Sequence, residues 1–183
     1  MLTPGHIAAG YLISFLFLKA THAESVLGSD ATNTLLLVGT LMGTAPDIDF
    51  LPFFLKHRSL KLQQKDSHRD YVTHTPFLWL CVAILVYIFF GMTAFSAYLG
   101  FIVWLGTWSH FLADSIEYGI SWLRPFSQKR FAVWSNYPEE RAALREQTIL
   151  RHYWEFSKLY MTRSRTVFFE IAAILAALAV LIG

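Results

Sequence analysis

Apolar residues gather in five runs along the chain, separated by segments that hold almost all of the charge. Residues 76–90, 95–112 and 166–183 are each long enough to cross a hydrocarbon core of roughly 30 Å as a helix. The last of them carries one charge, Glu170, near its start. Residues 7–18 and 34–45 are apolar but short, which suits a tilted or shallow span, or packing against the longer helices. Thr3 followed by Pro4 has the form of an N-cap and first-turn proline, predicting a helix that opens near His6. Gly39 and Gly43 are four apart, a spacing that lets a second helix approach closely. Residues 138–161 mix Leu144, Trp154 and Tyr160 with many charges, so an amphipathic helix is expected there. The segment 139–165 is accordingly read as peripheral, lying along the headgroups or capping the bundle in water. The fold class predicted is all-α: one integral-membrane domain over residues 1–183, a polytopic bundle of about five apolar helices with an amphipathic cytoplasmic helix.

Composition agrees, since 55% hydrophobic residues and a mean hydropathy of +0.42 leave more apolar surface than a soluble core of this size can bury. A net charge of +2, with the basic residues in loops rather than one patch, gives a nucleic-acid-binding role no support. The single cysteine, Cys81, lies within an apolar run and can close no internal disulfide. No Lys or Arg precedes the first apolar run, so that run is read as retained rather than as a cleaved signal. If all five runs cross, the amino terminus, the loop 52–75 and the segment 115–165 share one side. Of the fifteen Lys and Arg residues only Lys19 then falls elsewhere, which makes that side cytoplasmic and the membrane the inner one.

The histidines and paired acids fall at the ends of these runs. His110 and Asp114 are one helical turn apart and share a face, where they can hold a metal or simply hydrogen-bond to each other. Asp47 and Asp49, after Pro46, can address one site if the chain turns there, or can be solvated groups at a helix end. His68, Arg69 and His74 lie in a loop leading into residues 76–90 and can equally meet only water. His6 opens the first run. The hydropathy-based topology uses none of these residues, yet it puts all of them near one membrane face. Ionisable groups at the centre of a bilayer cost roughly 2.5–3.5 kcal/mol each on insertion scales, so a cluster of them points to function.

Imidazole with carboxylate suits a divalent ion, zinc first and manganese or iron next, and the number of candidates allows one ion or two. The expected ligands are His6, Asp47, Asp49, His74, His110 and Asp114. Metal-activated water would then attack a phosphoester or related bond, with Asp49 or His68 taking the proton and Arg69 clamping a phosphoryl oxygen. A membrane lipid or headgroup-bearing molecule is the expected substrate. Two rivals stand beside this reading. An ion-binding transporter would place its polar groups near the bilayer midplane. A non-catalytic adaptor would use the basic segments to bind a protein or anionic lipid.

The set Pro46-Asp47-Ile48-Asp49, then His68-Arg69-Asp70-Tyr71-Val72-Thr73-His74-Thr75-Pro76, then His110-Phe111-Leu112-Ala113-Asp114, Gly119 and Leu123-Arg124-Pro125-Phe126-Ser127 resembles the YdjM-like, LexA-regulated inner-membrane proteins. That family is regarded as one of metal-dependent hydrolases, and the likeness covers residues 3 to about 127. The resemblance implies a helical membrane protein whose metal site is distantly similar to those of zinc-dependent phospholipase C and P1-type nucleases. It matches Asp47 and Asp49 to the paired acids, His74 to the histidine after threonine, and His110 with Asp114 to the helical pair. The middle motif is one residue longer than the family pattern, with Asp70 in place of a glycine. His152 and Glu155, three apart rather than four, are not carried over, and Glu117 is read as a snorkelling boundary residue.

Overall fold

The computed structural model describes residues 1–57, 68–134 and 148–183. Among them every regular element is helical, the only β feature being an isolated bridge between Ile120 and Phe131. In chain order the α-helices are α1 (Thr3–Ala20), α2 (Ala23–Leu27), α3 (Ser29–Met42), α4 (Phe50–His57), α5 (Pro76–Phe89), α6 (Ala94–Asp114), α7 (Ile149–Arg163) and α8 (Thr166–Ile182). Three short 3₁₀ turns, Ala45–Asp49, His68–Asp70 and Val72–His74, lie with α4 between α3 and α5. The amphipathic segment expected over 138–161 lies partly outside the described residues, and its described part is α7.

The helices follow the apolar runs closely. No described helix by itself is long and apolar enough to cross a membrane. Residues 76–90 and 166–183 yield helices of 14 and 17 residues, against about 20 for a full span. Two bent pairs do pass together: Ser29–Met42 with Ala45–Lys56, bent by 48°, and Leu150–Arg163 with Thr166–Ile182, bent by 84°. Large apolar side chains nonetheless stand exposed while polar ones are buried. Phe89, Phe168 and Ile182 are exposed, whereas Ser14, Thr107, His110 and Asp114 are fully buried. Ionisable groups buried beside apolar ones, with large apolar side chains left outside, depart from the usual arrangement of a water-soluble protein.

Glycines determine how closely the central helices pack. A Cβ on Gly10 of α1 would lie 2.6 Å from the Gly39 carbonyl of α3, and one on Gly106 of α6 would lie 2.7 Å from the Met42 Cβ. The three backbones therefore meet at nearly van der Waals contact, as small residues permit in helix pairs that lack a hydrophobic drive. Toward the far end from the histidines, Leu18, Ala23, Leu35 and Ile102 form the buried apolar cluster. A capping box between Thr93 and Ser96 starts α6 there.

The start of α1 is capped differently from the sequence expectation. Thr3 is already helical and the cap position is Leu2, whose side chain supplies no acceptor. The missing acceptor comes from Glu170 on α8, whose carboxylate accepts from the Leu2 and Gly5 amides at 3.2 Å each. Gly5 makes this possible, because a Cβ there would sit 2.7 Å from the Glu170 Cγ. A carboxylate at a helix N-terminus satisfies orphan amides and favours the helix dipole.

Candidate metal centre

His6 sits in the first turns of α1 and His110 near the end of α6, and their rings stack with centroids 3.8 Å apart. The close approach of α1, α3 and α6 brings those two elements together. Pro46 cannot donate the amide that would continue α3, and the chain turns into the 3₁₀ segment that carries Asp47 and Asp49. The turn Val72–His74 packs against it and presents His74. Four separate stretches of chain thus meet around a few ångströms of buried space.

Each of two imidazoles is fixed by its Nδ1. His110 Nδ1 lies 2.9 Å from the Gly43 carbonyl, which can only accept, so Nδ1 carries the hydrogen. His74 Nδ1 donates to Asp49 Oδ2 at 2.5 Å, and the same oxygen accepts from the Thr73 hydroxyl at 2.7 Å. In the neutral rings both Nε2 atoms then carry lone pairs, and these stand 3.3 Å apart. Two lone pairs at that distance repel unless a proton or a metal cation lies between them. Asp47 Oδ1 is 3.7 Å from one Nε2 and 3.6 Å from the other, completing a triangle of donors. Two nitrogens bound about 2.0–2.1 Å from one tetrahedral ion would be about 3.3–3.4 Å apart. The donor set therefore fits a divalent ion in type and in spacing.

A second group overlaps the first. His6, His110 and Asp114 also offer atoms within 4.8 Å of one another, with His6 Nε2 at 3.4 Å from Asp114 Oδ1. Since His110 has one nitrogen free of Gly43, the two groups describe one ion drawing on both, or two ions of which one takes His110. Asp114 Oδ2 is 3.9 Å from His110 Nε2 and 2.5 Å from Arg69 Nε, while the Met1 amine lies 3.0 Å from Oδ1. Arg69 also covers the Tyr118 ring, 4.3 Å from its centroid.

The charges are arranged to tolerate burial. Burial pushes the Asp47 carboxyl above its ordinary value, although His74 and His6 pull it the other way. For Arg69 burial opposes the charge, but the Asp114 carboxylate outweighs it and holds the guanidinium above its usual value.

The structure brings His6, Asp47, His74, His110 and Asp114 together as candidate ligands. It places Asp49 behind His74, as the group that orients the imidazole, in neither of the two ligand groups. Arg69, expected as a phosphoryl clamp, is engaged with Asp114. His68 opens its 3₁₀ turn, but its side chain lies outside the described residues. Glu117, expected to snorkel, is instead buried and accepts from the Ser164 hydroxyl and the Arg165 amide. The sequence reading missed Thr73, the Gly43 carbonyl and Glu170. Thr73 was visible as the neighbour of His74, whereas a backbone carbonyl leaves no trace in a sequence.

No curated protein and no solved structure gives a significant match to the chain. The family comparison does: the match to the YdjM inner membrane protein family runs over residues 1–183, beyond the motif region to the last apolar helix, and the chain belongs to that family.

Proposed function

We propose that this chain is a membrane-embedded, metal-dependent hydrolase, with its site at the cytoplasmic face of the inner membrane and a phosphoester or lipid-linked molecule as substrate. One observation carries the reading: two imidazole Nε2 atoms, each with its Nδ1 committed elsewhere, converge to 3.3 Å beside the half-buried carboxylate of Asp47. Asp47, His74 and His110 would hold the ion, with His6 and Asp114 completing its shell or holding a second. Zinc suits this donor set best, and manganese or iron would also fit. A bound divalent ion would supply Lewis acidity and lower the pKa of water toward neutrality. Asp49 and Gly43 fix which nitrogen of each ring faces the ion, the usual outer support of a metal-binding histidine. Arg69 balances Asp114, and His68, on a turn packed against the Asp47 turn, is the proposed proton shuttle.

The proposed topology has α1, α3, α5, α6 and α8 crossing, with the bilayer thinned locally around the short ones. It is supported by the exposed apolar and buried polar residues and by the one-sided basic loops. Likeness to the zinc-dependent phospholipase C and P1-type nuclease sites belongs to this proposal and rests on donor types alone.

Elemental analysis of the purified full-length protein, beside His110→Ala and Asp47→Ala, tests the metal. Zinc or manganese near one or two equivalents in wild type and its loss in both variants is the expected result. Turnover of a phosphoester and phospholipid panel by wild type but neither variant tests the reaction. Wild type that takes up no metal even when supplied with zinc and manganese would instead favour a non-catalytic adaptor.

A further inference from the structure

Helix α7 presents three different edges. His152 and Tyr160 face inward and are buried. Leu150, Tyr153, Trp154 and Met161, at helical spacings that keep them on one edge, are exposed, with Leu150 at 85% and Trp154 at 71%. Arg151 and Lys158, both exposed, form the third edge beside the apolar one. Ser157 is the one polar residue on that apolar edge, and water is a poor environment for the rest.

The elbow to α8 decides what covers it. The two helices meet at 84°, so if α8 follows the bilayer normal, α7 runs nearly parallel to the membrane surface. The angle is held rather than free: Glu117 bridges the Ser164 hydroxyl and the Arg165 amide at 2.5 Å each, and the Tyr160 hydroxyl donates to Glu170 on α8. An in-plane helix with tryptophan on an apolar edge and cations beside it has the chemistry of the headgroup boundary.

We infer that α7 is an in-plane helix whose Leu150, Trp154 and Met161 edge seats in the headgroup boundary of a bilayer, with Arg151 and Lys158 favouring anionic lipid. The inference rests on the proposed crossing by α8.

The test uses full-length protein carrying Cys81→Ala, reconstituted into vesicles of phosphatidylcholine alone or mixed with phosphatidylglycerol. Nitroxide labels are placed singly through Trp154→Cys, Met161→Cys, Thr162→Cys and Leu175→Cys. Collision with oxygen reports lipid, and collision with a water-soluble nickel chelate reports water. The expected oxygen-to-nickel ratio at 154 and 161 is several-fold higher than at 162. It should rise with phosphatidylglycerol and fall back in the Arg151→Glu/Lys158→Glu background. Nickel access at 154 and 161 equal to that at 162 would overturn the proposal, as would protection from both reagents, which would mean that protein covers the edge. A ratio that ignores phosphatidylglycerol would overturn the anionic preference. Leu175 separates the two readings. If it is deep in lipid while 154 and 161 are not, only the in-plane helix fails; if nickel reaches it, the crossing by α8 fails and takes this proposal with it.

Discussion

Replacing Asp49 by asparagine separates the group that orients a ligand from the ligands themselves. Asp49 is 1% exposed, so solvent cannot stand in for its carboxylate. It accepts from the His74 ring and from Thr73. A hydrogen bond to a charged acceptor contributes about 1.5–3 kcal/mol and one to a neutral acceptor about 0.5–1.5. Asparagine keeps a carbonyl for Nδ1–H, so Asp49→Asn should lose about 1–1.5 kcal/mol, close to tenfold in metal affinity. Asp49→Ala leaves both donors unmatched and should approach the hundredfold end of the range known for such outer groups. Asp47→Ala removes a donor atom and should abolish measurable binding. The assay is competition for zinc between the detergent-solubilised protein and a chromogenic chelator. Asp49→Asn as damaging as Asp47→Ala would refute the assignment and make Asp49 a ligand. Asp49→Ala indistinguishable from wild type would refute it in the other direction.

Gly43→Ala would press a methyl group onto the His6 carbonyl, with the Gly10 Cα 3.1 Å away. A cost of about 1–3 kcal/mol is expected, with weaker zinc binding as α1 and α3 part, read by thermal unfolding and by the same titration. Glu170→Ala should cost about 1–2 kcal/mol by uncapping α1, lowering the unfolding temperature; an unchanged midpoint would show that the cap is idle. Zinc retention should be complete at neutral and mildly alkaline pH and should fall on acidification, because the donors bind metal only when deprotonated. The raised value at Asp47 makes its carboxyl take up a proton earlier as pH drops than an exposed aspartate does, so proton competition there begins at higher pH. Calorimetry in buffers of different ionisation enthalpy would detect the protons released as zinc binds.

The apolar runs were enough to place the longer helices. Helix ends were less legible. Thr3 looked like a cap because its residue type is common there, whereas the acceptor that serves the helix is Glu170, distant in the chain and brought close only by packing. Glu117 read as a surface group for the same reason: its partners, Ser164 and Arg165, lie far along the chain at the junction of α7 and α8.

What the sequence by itself determined is the inventory: apolar helices, a pair of glycines where two of them pack closely, and His and Asp residues at the ends of the apolar runs. Those follow from local composition and period, which a linear chain displays directly. Tertiary structure alone decided the roles within that inventory. Asp47 and Asp49 are two residues apart and chemically alike, yet Asp47 Oδ1 faces both Nε2 atoms while Asp49 supports His74 from behind. Which oxygen meets which nitrogen depends on how a 3₁₀ turn, a second turn and two helices pack together, and that geometry has no counterpart in residue order.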